Sequence, residues 1–506
     1  MDAAHGRAAG ELAGRLHALA SFHGRYRMLH LTWIAFLLTF VVWFNFAPFA
    51  SSVGDSLGLS REQLAVLAIA NVALTVPARV LVGMALDRWG PRRVYSAILV
   101  YAAVPCLVFA TARSFPLLVA SRLALSVVGA GFVVGIRLVA EWFPPRELGL
   151  AEGVYGGWGN FGSAVAAFTL PGVAAVIGGP NGWRWAVAVT GLVAAGYGLL
   201  YLRTVGDTPE GRTYARPRRQ GALEVTSRAG VLGLLVVNVP LLGILAVLTW
   251  RLTDVGFLSP AAGVAVGAAL AGLLVLSSRQ IVVVNRAALR DAYDDDDRYP
   301  FRSVAVLCLA YLVTFGSELA VVSMLPTFFA ETFGMSAVVA GATASAFAFT
   351  NLVARPAGGA VSDLLGSRRR TLQVLLVCLG VGYLGMAAMG AAWPAAAAVA
   401  VTAVCSLFVQ AGEGAVYAIV PLVKPPVSGQ ISGLVGAYGS IGAVTFLTVL
   451  SFVPAGTFFL VIAAAAGVAA AASRWLPEPR GSFAAEHLED VPADAVAAAV
   501  NASSAA

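Results

Sequence analysis

RVLVGMALDRWGPRR (residues 79–93) and RPAGGAVSDLLGSRR (residues 355–369) are the same motif met twice, each fitting R-x3-G-x3-D-x2-G-x-R-R at an offset of 276 residues. The matched positions are Arg79/Arg355, Gly83/Gly359, Asp87/Asp363, Gly90/Gly366, Arg92/Arg368 and Arg93/Arg369. A second pair supports the first. Gly156, Gly159 and Gly162 recur as Gly436, Gly439 and Gly442, offset by 280 residues. Glycines three apart lie along one helix face, where they let a neighbouring helix or a ligand approach the backbone. Two registers of repetition imply a duplicated half-molecule, and two related halves with a site between them is a transporter architecture.

The sequence around these motifs is membrane sequence. Of 506 residues, 59% are hydrophobic and 12% are charged, against roughly 25% charged in a soluble domain. Apolar stretches long enough to cross a bilayer core of roughly 30 Å recur at about 30–53, 61–86, 94–112, 116–141, 148–178 and 183–203. Two more follow at about 229–250 and 256–278, and six more at about 303–329, 335–362, 371–391, 393–421, 430–453 and 456–474. The fold expected is an all-α polytopic membrane protein of two pseudo-symmetric six-helix bundles with an extra helix pair between them, about 14 spans in all. Its parts would be a leader (1–29), a first bundle (30–203), a central linker carrying the extra pair (204–302), a second bundle (303–476) and a disordered tail (477–506). The leader is no cleavable signal peptide, having no apolar run before Leu29. It reads either as a short interfacial stripe (Leu12, Leu16, Leu19, Phe22) or as a loosely ordered segment. The extra pair reads as a spacer or lipid-facing elaboration, with a partner-binding module as the sharper alternative.

The net charge of +7 does not point to nucleic acid, because the basic residues collect in short loops between apolar segments. Arg88, Arg92 and Arg93, then Arg146, the run Arg203 to Arg228, Arg279 to Arg302, and Arg368 to Arg370 all fall on one side, together with the N-terminus. The positive-inside rule makes that side cytoplasmic, with both termini on it. The four cysteines (Cys106, Cys308, Cys378, Cys405) sit in apolar segments without metal-site spacing and read as small hydrophobes. No Walker loop, metal-ligand cluster or nucleophile motif occurs, so neither an enzyme nor a resident cofactor is expected. A multi-pass monomer in the lipid of the cell membrane is.

Arg79 lies eight residues before Asp87, and Arg355 eight before Asp363, roughly 12 Å deeper along a helix. Each is then near mid-membrane, where charge is costly and usually functional. Across a pseudo-two-fold axis the two guanidiniums form a trap for a small oxyanion, whose oxygens match their forked donors. The alternative is that each pairs with a glutamate from another helix. Asp87 and Asp363, with Gly83, Arg88, Arg92, Gly359 and Arg368, read as conformational latches.

At this point the chain resembles the nitrate–nitrite porter family of the major facilitator superfamily. The G-x3-D-x2-G-x-R-R loops are similar to that superfamily's, and GGWGNFG (156–162) followed by Pro171, with GAYGSIGA (436–443), resembles the porters' paired glycine signatures. The resemblance spans all twelve core segments. It implies that Arg79 and Arg355 bind the anion, that Tyr311 and Asn160 help to hold it, and that Phe132 and Phe315 flank it. Gly156, Gly159, Gly162, Gly436, Gly439 and Ser440 would line the site. Ser440 departs from the asparagine often seen in relatives, and the extra pair is outside the basic pattern.

Coupling is the harder reading. The histidines lie outside the segment centres, whereas Glu318 and Glu413 lie inside them and are candidates to carry a proton; as counter-ions to Arg79, Arg122 or Arg355 they would be structural. Arg137 and Glu141, four apart, read as a structural pair. The expectation is nitrate or nitrite transport, with nitrate uptake coupled to protons. The alternatives are nitrate/nitrite exchange, a facilitator for another small anion such as an organic carboxylate, and a non-transporting membrane sensor.

Overall fold

A computed structural model describes residues 2–254 and 256–485. Among these residues the regular structure is entirely helical. The first bundle comprises α1 (Gly24–Leu57), α2 (Arg61–Trp89), α3 (Pro91–Thr111), α4 (Phe115–Trp142), α5 (Pro145–Ile177) and α6 (Gly182–Thr204). The inserted pair is α7 (Arg228–Asp254) and α8 (Pro260–Val284). In the second bundle, α9 (Asp295–Phe333) is followed by α10, which runs as Ala337–Phe349 and then Asn351–Leu364. The chain then continues through α11 (Arg368–Ala387), α12 (Ala395–Leu422), α13 (Pro425–Leu450) and α14 (Ala455–Trp475).

Thirteen of these are long and apolar enough to span a membrane, several of them with a short break of their own, as α2 has at Leu74 and α5 at Phe161. The fourteenth expected segment, 335–362, is α10, interrupted at Thr350. There the Thr350 hydroxyl donates to the Phe347 carbonyl at 2.7 Å. Pro356, lying inside the second part of α10, has no N–H to offer the Leu352 carbonyl four residues back. The indole of Trp158 on α5 donates to that carbonyl at 3.2 Å, so a carbonyl that proline leaves without its helical partner in one half is satisfied by the other.

The two halves meet along two seams, α5 against α10 and α2 against α13. Glycine makes both possible. A methyl on Gly359 would run into the Gly149 carbonyl, and one on Gly83 would lie 2.5 Å from the Gly429 carbonyl. Helix α7 packs beside the second seam, against α13, α2 and α9. The Tyr438 hydroxyl of α13 donates to the Val237 carbonyl of α7 at 2.8 Å. Helix α8 leans on α7, through Asn238 to Ser277 at 2.8 Å, and otherwise presents its apolar surface outward.

Both ends of the chain depart from expectation. The leader contains a helix, Asp2–Ala18. It docks on the arginine-rich face, with Arg15 donating to the Arg146 carbonyl at 3.0 Å. Leu12 and Leu19 pack on the core while Leu16 and Phe22 stay exposed, so the stripe is split rather than lying on one apolar face. The tail is not free from residue 477. The Glu478 carboxylate accepts from the backbone N–H groups of Arg368 and Arg369 at 2.9 and 3.2 Å, supplying an acid at the N-terminus of α11. Ser482 is buried. The rest of the expected tail, 486–506, lies outside the described residues. The linker is also folded: Tyr293 donates to Glu224 at 2.6 Å and Asn285 braces Val225 at 2.8 Å.

Candidate functional site

The repeat places Arg79 on α2 and Arg355 on α10, both fully buried in the middle of the molecule. Each crosses to the opposite half. The Arg355 guanidinium lies over Gly156 of α5, where an added methyl would be 2.5 Å from Nε. Arg79 lies against Gly436 of α13 and donates to its carbonyl. The two glycines are equivalent in the repeat, but only at Gly156 does the arginine occupy the place of a side chain; at Gly436 the nearest Arg79 atom is 3.3 Å from an added methyl.

Both guanidiniums lie against one aromatic stack. Phe132 of α4 is parallel to Tyr311 of α9 (centroids 6.2 Å apart, 2° between planes), and Tyr311 to Phe315 (5.1 Å, 3°). Arg355 lies 5.2 Å from the Phe132 centroid; Arg79 lies 5.2 Å from Phe315 and 5.9 Å from Phe132. The Arg355 Nη2 reaches the Tyr311 hydroxyl at 3.4 Å. Gly439 is where it is because Tyr311 and Phe315 fill the space a side chain would need. The structure thus brings together Arg79, Arg355, Phe132, Tyr311, Phe315, Gly156, Gly436 and Gly439. Gly159 and Gly162 instead make room for Phe36, Leu37 and Phe40 of α1. They position helices within the first bundle and do not touch the arginines. Asn160 and Ser440, equivalent in the repeat, are both buried with an unsatisfied side-chain oxygen, and neither bonds to an arginine.

The arginines are not alike. Arg355 is ion-paired to Glu413 of α12 at 2.5 Å, which corrects the expectation of two unpaired guanidiniums. Arg79 has no carboxylate partner among the described residues. Glu318, the other acid expected to carry a proton, accepts from Asn351 at 2.5 Å and Gln410 at 3.5 Å. Glu413 thus supplies Arg355 with a counter-ion, while Arg79 brings a guanidinium that no described carboxylate pairs with.

Nearer the arginine-rich face the motif aspartates act across the seams. Asp363 accepts from the N–H groups of Gly149 and Leu150, both at 2.9 Å, and Asp87 from those of Gly429 and Gln430, both at 3.0 Å. Each carboxylate therefore caps a helix of the other half, where unpaired N–H groups and the helix dipole favour negative charge. Arg368 supports Asp363 at 2.8 Å and donates to Pro145 of the first half at 2.5 Å. On the other seam Arg88 and Arg92 do not play that part. Arg88 is exposed and lies over Trp89, and Arg92 is held through its backbone N–H by Asp207 at 2.7 Å. The bridging cation is Arg137, which pairs with Glu141 at 2.7 Å and reaches Ser428 at 2.5 Å and the Pro425 carbonyl. Tyr214, from the loop after α6, donates to the Leu86 carbonyl at 3.0 Å. Burial pushes its phenol up, with Asp87 adding to the shift and Arg137 opposing it, and it remains a neutral donor.

Tyr417 was missed from sequence. It stands edge-on to Phe132 at 4.8 Å and to Tyr311 at 4.9 Å, with its hydroxyl beside Gly436. No charge or spacing marks it. Gly149/Gly429 and Gly153/Gly433 were also missed, although the offset of 280 residues extends to them and would have found them.

Two halves related by a repeat, joined through buried guanidiniums at mid-depth and latched at one face, define a multi-pass membrane transporter rather than an enzyme. A family model described as Major Facilitator Superfamily matches residues 32–288 and 307–497. The chain is 49% identical to the nitrate/nitrite transporter NrtP of Picosynechococcus sp., over 92% of this chain and 96% of that one. It is 48% identical to the NrtP of Nostoc punctiforme, over 93% and 96%. Among solved structures it resembles the proton:xylose symporter XylE (TM-score 0.61, 14% identity, 92% of this chain and 98% of that one) and FucP in its outward conformation (0.61, 12%, 89% and 98%); these show the fold alone. The chain belongs to the nitrate–nitrite porter family of the major facilitator superfamily.

Proposed function

We propose that this transporter moves nitrate and nitrite across the cell membrane by alternating access, the anion held between Arg79 and Arg355, with nitrate uptake coupled to protons. The observation that carries this is the pair of guanidiniums, one from each half, meeting at one aromatic stack, with Arg79 lacking a carboxylate partner among the described residues. A monovalent anion supplies the counter-charge that Arg79 lacks. Nitrate is planar and suits forked donors beside flat rings. The high identity to transporters named for nitrate and nitrite supports the same substrates. The arginine-rich face is assigned to the cytoplasm by the positive-inside rule. Inward movement of an anion then opposes a membrane potential worth about 2.3 kcal/mol per 100 mV, and proton entry offsets that cost.

Arg79→Lys and Arg355→Lys keep the charge and lose the fork. In proteoliposomes each is expected to abolish nitrate transport while the protein stays folded in the membrane. Normal transport by either variant overturns the two-arginine site. An inward pH gradient is expected to drive nitrate accumulation into vesicles free of nitrite. Uptake that occurs only into nitrite-loaded vesicles identifies an exchanger instead.

A further inference from the structure

One buried acid is used by none of this. Glu152, on α5, is 1% exposed, and both its carboxyl oxygens lack a hydrogen bond to any described group. The other buried acids of the described chain are all engaged. Glu413 pairs with Arg355, Glu318 accepts from Asn351, Glu141 pairs with Arg137, Glu147 with Arg25, Glu224 accepts from Tyr293, and the two aspartates cap helices.

Its position is informative. Glu152 precedes Gly156 by four residues, so it shares that helix face one turn, or about 5–6 Å, nearer the arginine-rich face. It therefore sits beneath the Arg355 guanidinium, on the latch side. Its equivalent in the repeat is Ser432, whose Oγ is likewise buried without a partner and whose carbonyl receives the Tyr417 hydroxyl at 3.4 Å. The charged and titratable groups on the elements packed against α5 include Arg355 and Asp363 on α10, Glu413 and Tyr417 on α12, Arg122, Arg137 and Glu141 on α4, Arg25, Tyr26, Arg27, His30 and Asp55 on α1, and Arg184, Tyr197, Tyr201 and Arg203 on α6. Asp363 is taken by Arg368 and the helix cap, Arg137 by Glu141, and His30 by the Leu19 carbonyl and Trp33. Arg355 is the cation whose field reaches Glu152.

We propose that Glu152 is the site that takes up and releases the co-transported proton. This rests on the proton-coupled reading above. An ionised carboxylate buried without hydrogen bonds loses its solvation, and the field of Arg355, already paired with Glu413, offsets only part of that loss, whereas the acid loses little. With the α5–α10 seam closed, the side chain holds its proton. When the Asp363 cap releases α5 and the arginine-rich face opens, water reaches the carboxyl group and the proton passes from its oxygen to that water. The carboxylate is re-protonated by water from the opposite opening after the empty carrier returns. Because the anion site lies between Glu152 and that opening, the proton loads before the anion.

The test compares wild type with Glu152→Gln in proteoliposomes, using isotopically labelled nitrate. Counterflow without any gradient reads anion binding and the conformational cycle. Accumulation under an inward pH gradient, with proton influx followed by an internal dye, reads coupling. Glu152→Gln is expected to retain counterflow within about twofold and to lose gradient-driven accumulation and proton influx by about tenfold or more; Glu152→Asp is expected to restore both. Wild-type accumulation and proton influx in Glu152→Gln overturn the proposal. So does loss of counterflow, which makes the residue part of the anion site or of the fold. A wild type indifferent to the pH gradient is a different failure, because it removes proton coupling itself.

Discussion

Replacing Gly156 by alanine tests whether the opposite helix sets the position of the Arg355 guanidinium, proposed to bind the anion. The added methyl would stand 2.5 Å from Nε and 2.8 Å from Cζ of Arg355, where non-bonded heavy atoms prefer about 3.5–4.0 Å. The guanidinium must retreat by about 1 Å, yet Glu413 holds it at 2.5 Å and Tyr311 at 3.4 Å. Overpacking of this kind costs about 1–3 kcal/mol, which is about 5- to 150-fold in nitrate affinity. Gly436→Ala is the internal control. Its methyl would lie 3.3 Å from the Arg79 Cδ and from the Tyr417 hydroxyl, so a small adjustment absorbs it at under about 1 kcal/mol, or less than about fivefold. The assay is calorimetric titration of each purified variant with nitrate, alongside the KM for uptake in vesicles. Equal losses in the two variants, or a greater loss in Gly436→Ala, would refute the argument that steric fit at Gly156 places Arg355.

The helix caps give a second prediction. Asp87→Asn and Asp363→Asn each remove a charged cap between halves, worth about 1–2 kcal/mol. Spin labels on Trp89 and Arg369 are expected to show a larger population with the arginine-rich face open, and an unchanged distance distribution contradicts the latch. A third concerns Glu413. Glu413→Gln leaves Arg355 buried without its counter-ion and lowers stability by about 3–5 kcal/mol, and bound nitrate replaces part of the lost charge. The thermal stabilisation by nitrate is therefore expected to exceed that of wild type; an equal shift contradicts the counter-ion role drawn for Glu413.

Sequence carried much of this because a membrane writes its requirements in composition. Long apolar runs, loop arginines and a repeated motif were enough for the spans and for the two halves. Arg79 and Arg355 were legible because charge at mid-depth is rare, and their cross-half placement followed from the offset alone. The Glu413–Arg355 pair was left open, since it joins α12 to α10 through rotamers that no periodicity reports. Arg88 and Arg92 were misread because the motif describes a loop, while the cation that bridges the second seam, Arg137, comes from a different helix. Tyr417 is one aromatic among many apolar neighbours. The order of residues 477–485 depends on Glu478 meeting the first turn of α11, a tertiary contact that an Ala- and Pro-rich composition conceals.

The exchange of arginines and glycines between halves has a consequence for assembly. If the anion is held between Arg79 and Arg355 as proposed, neither bundle owns a complete binding site, since each contributes a guanidinium that packs on a helix of the other. Free energy gained on capturing the anion is then also free energy of association between the bundles, and by mutual linkage the ligand and the interface strengthen each other. If the two bundles were made as separate polypeptides, nitrate would act as an adhesive between them.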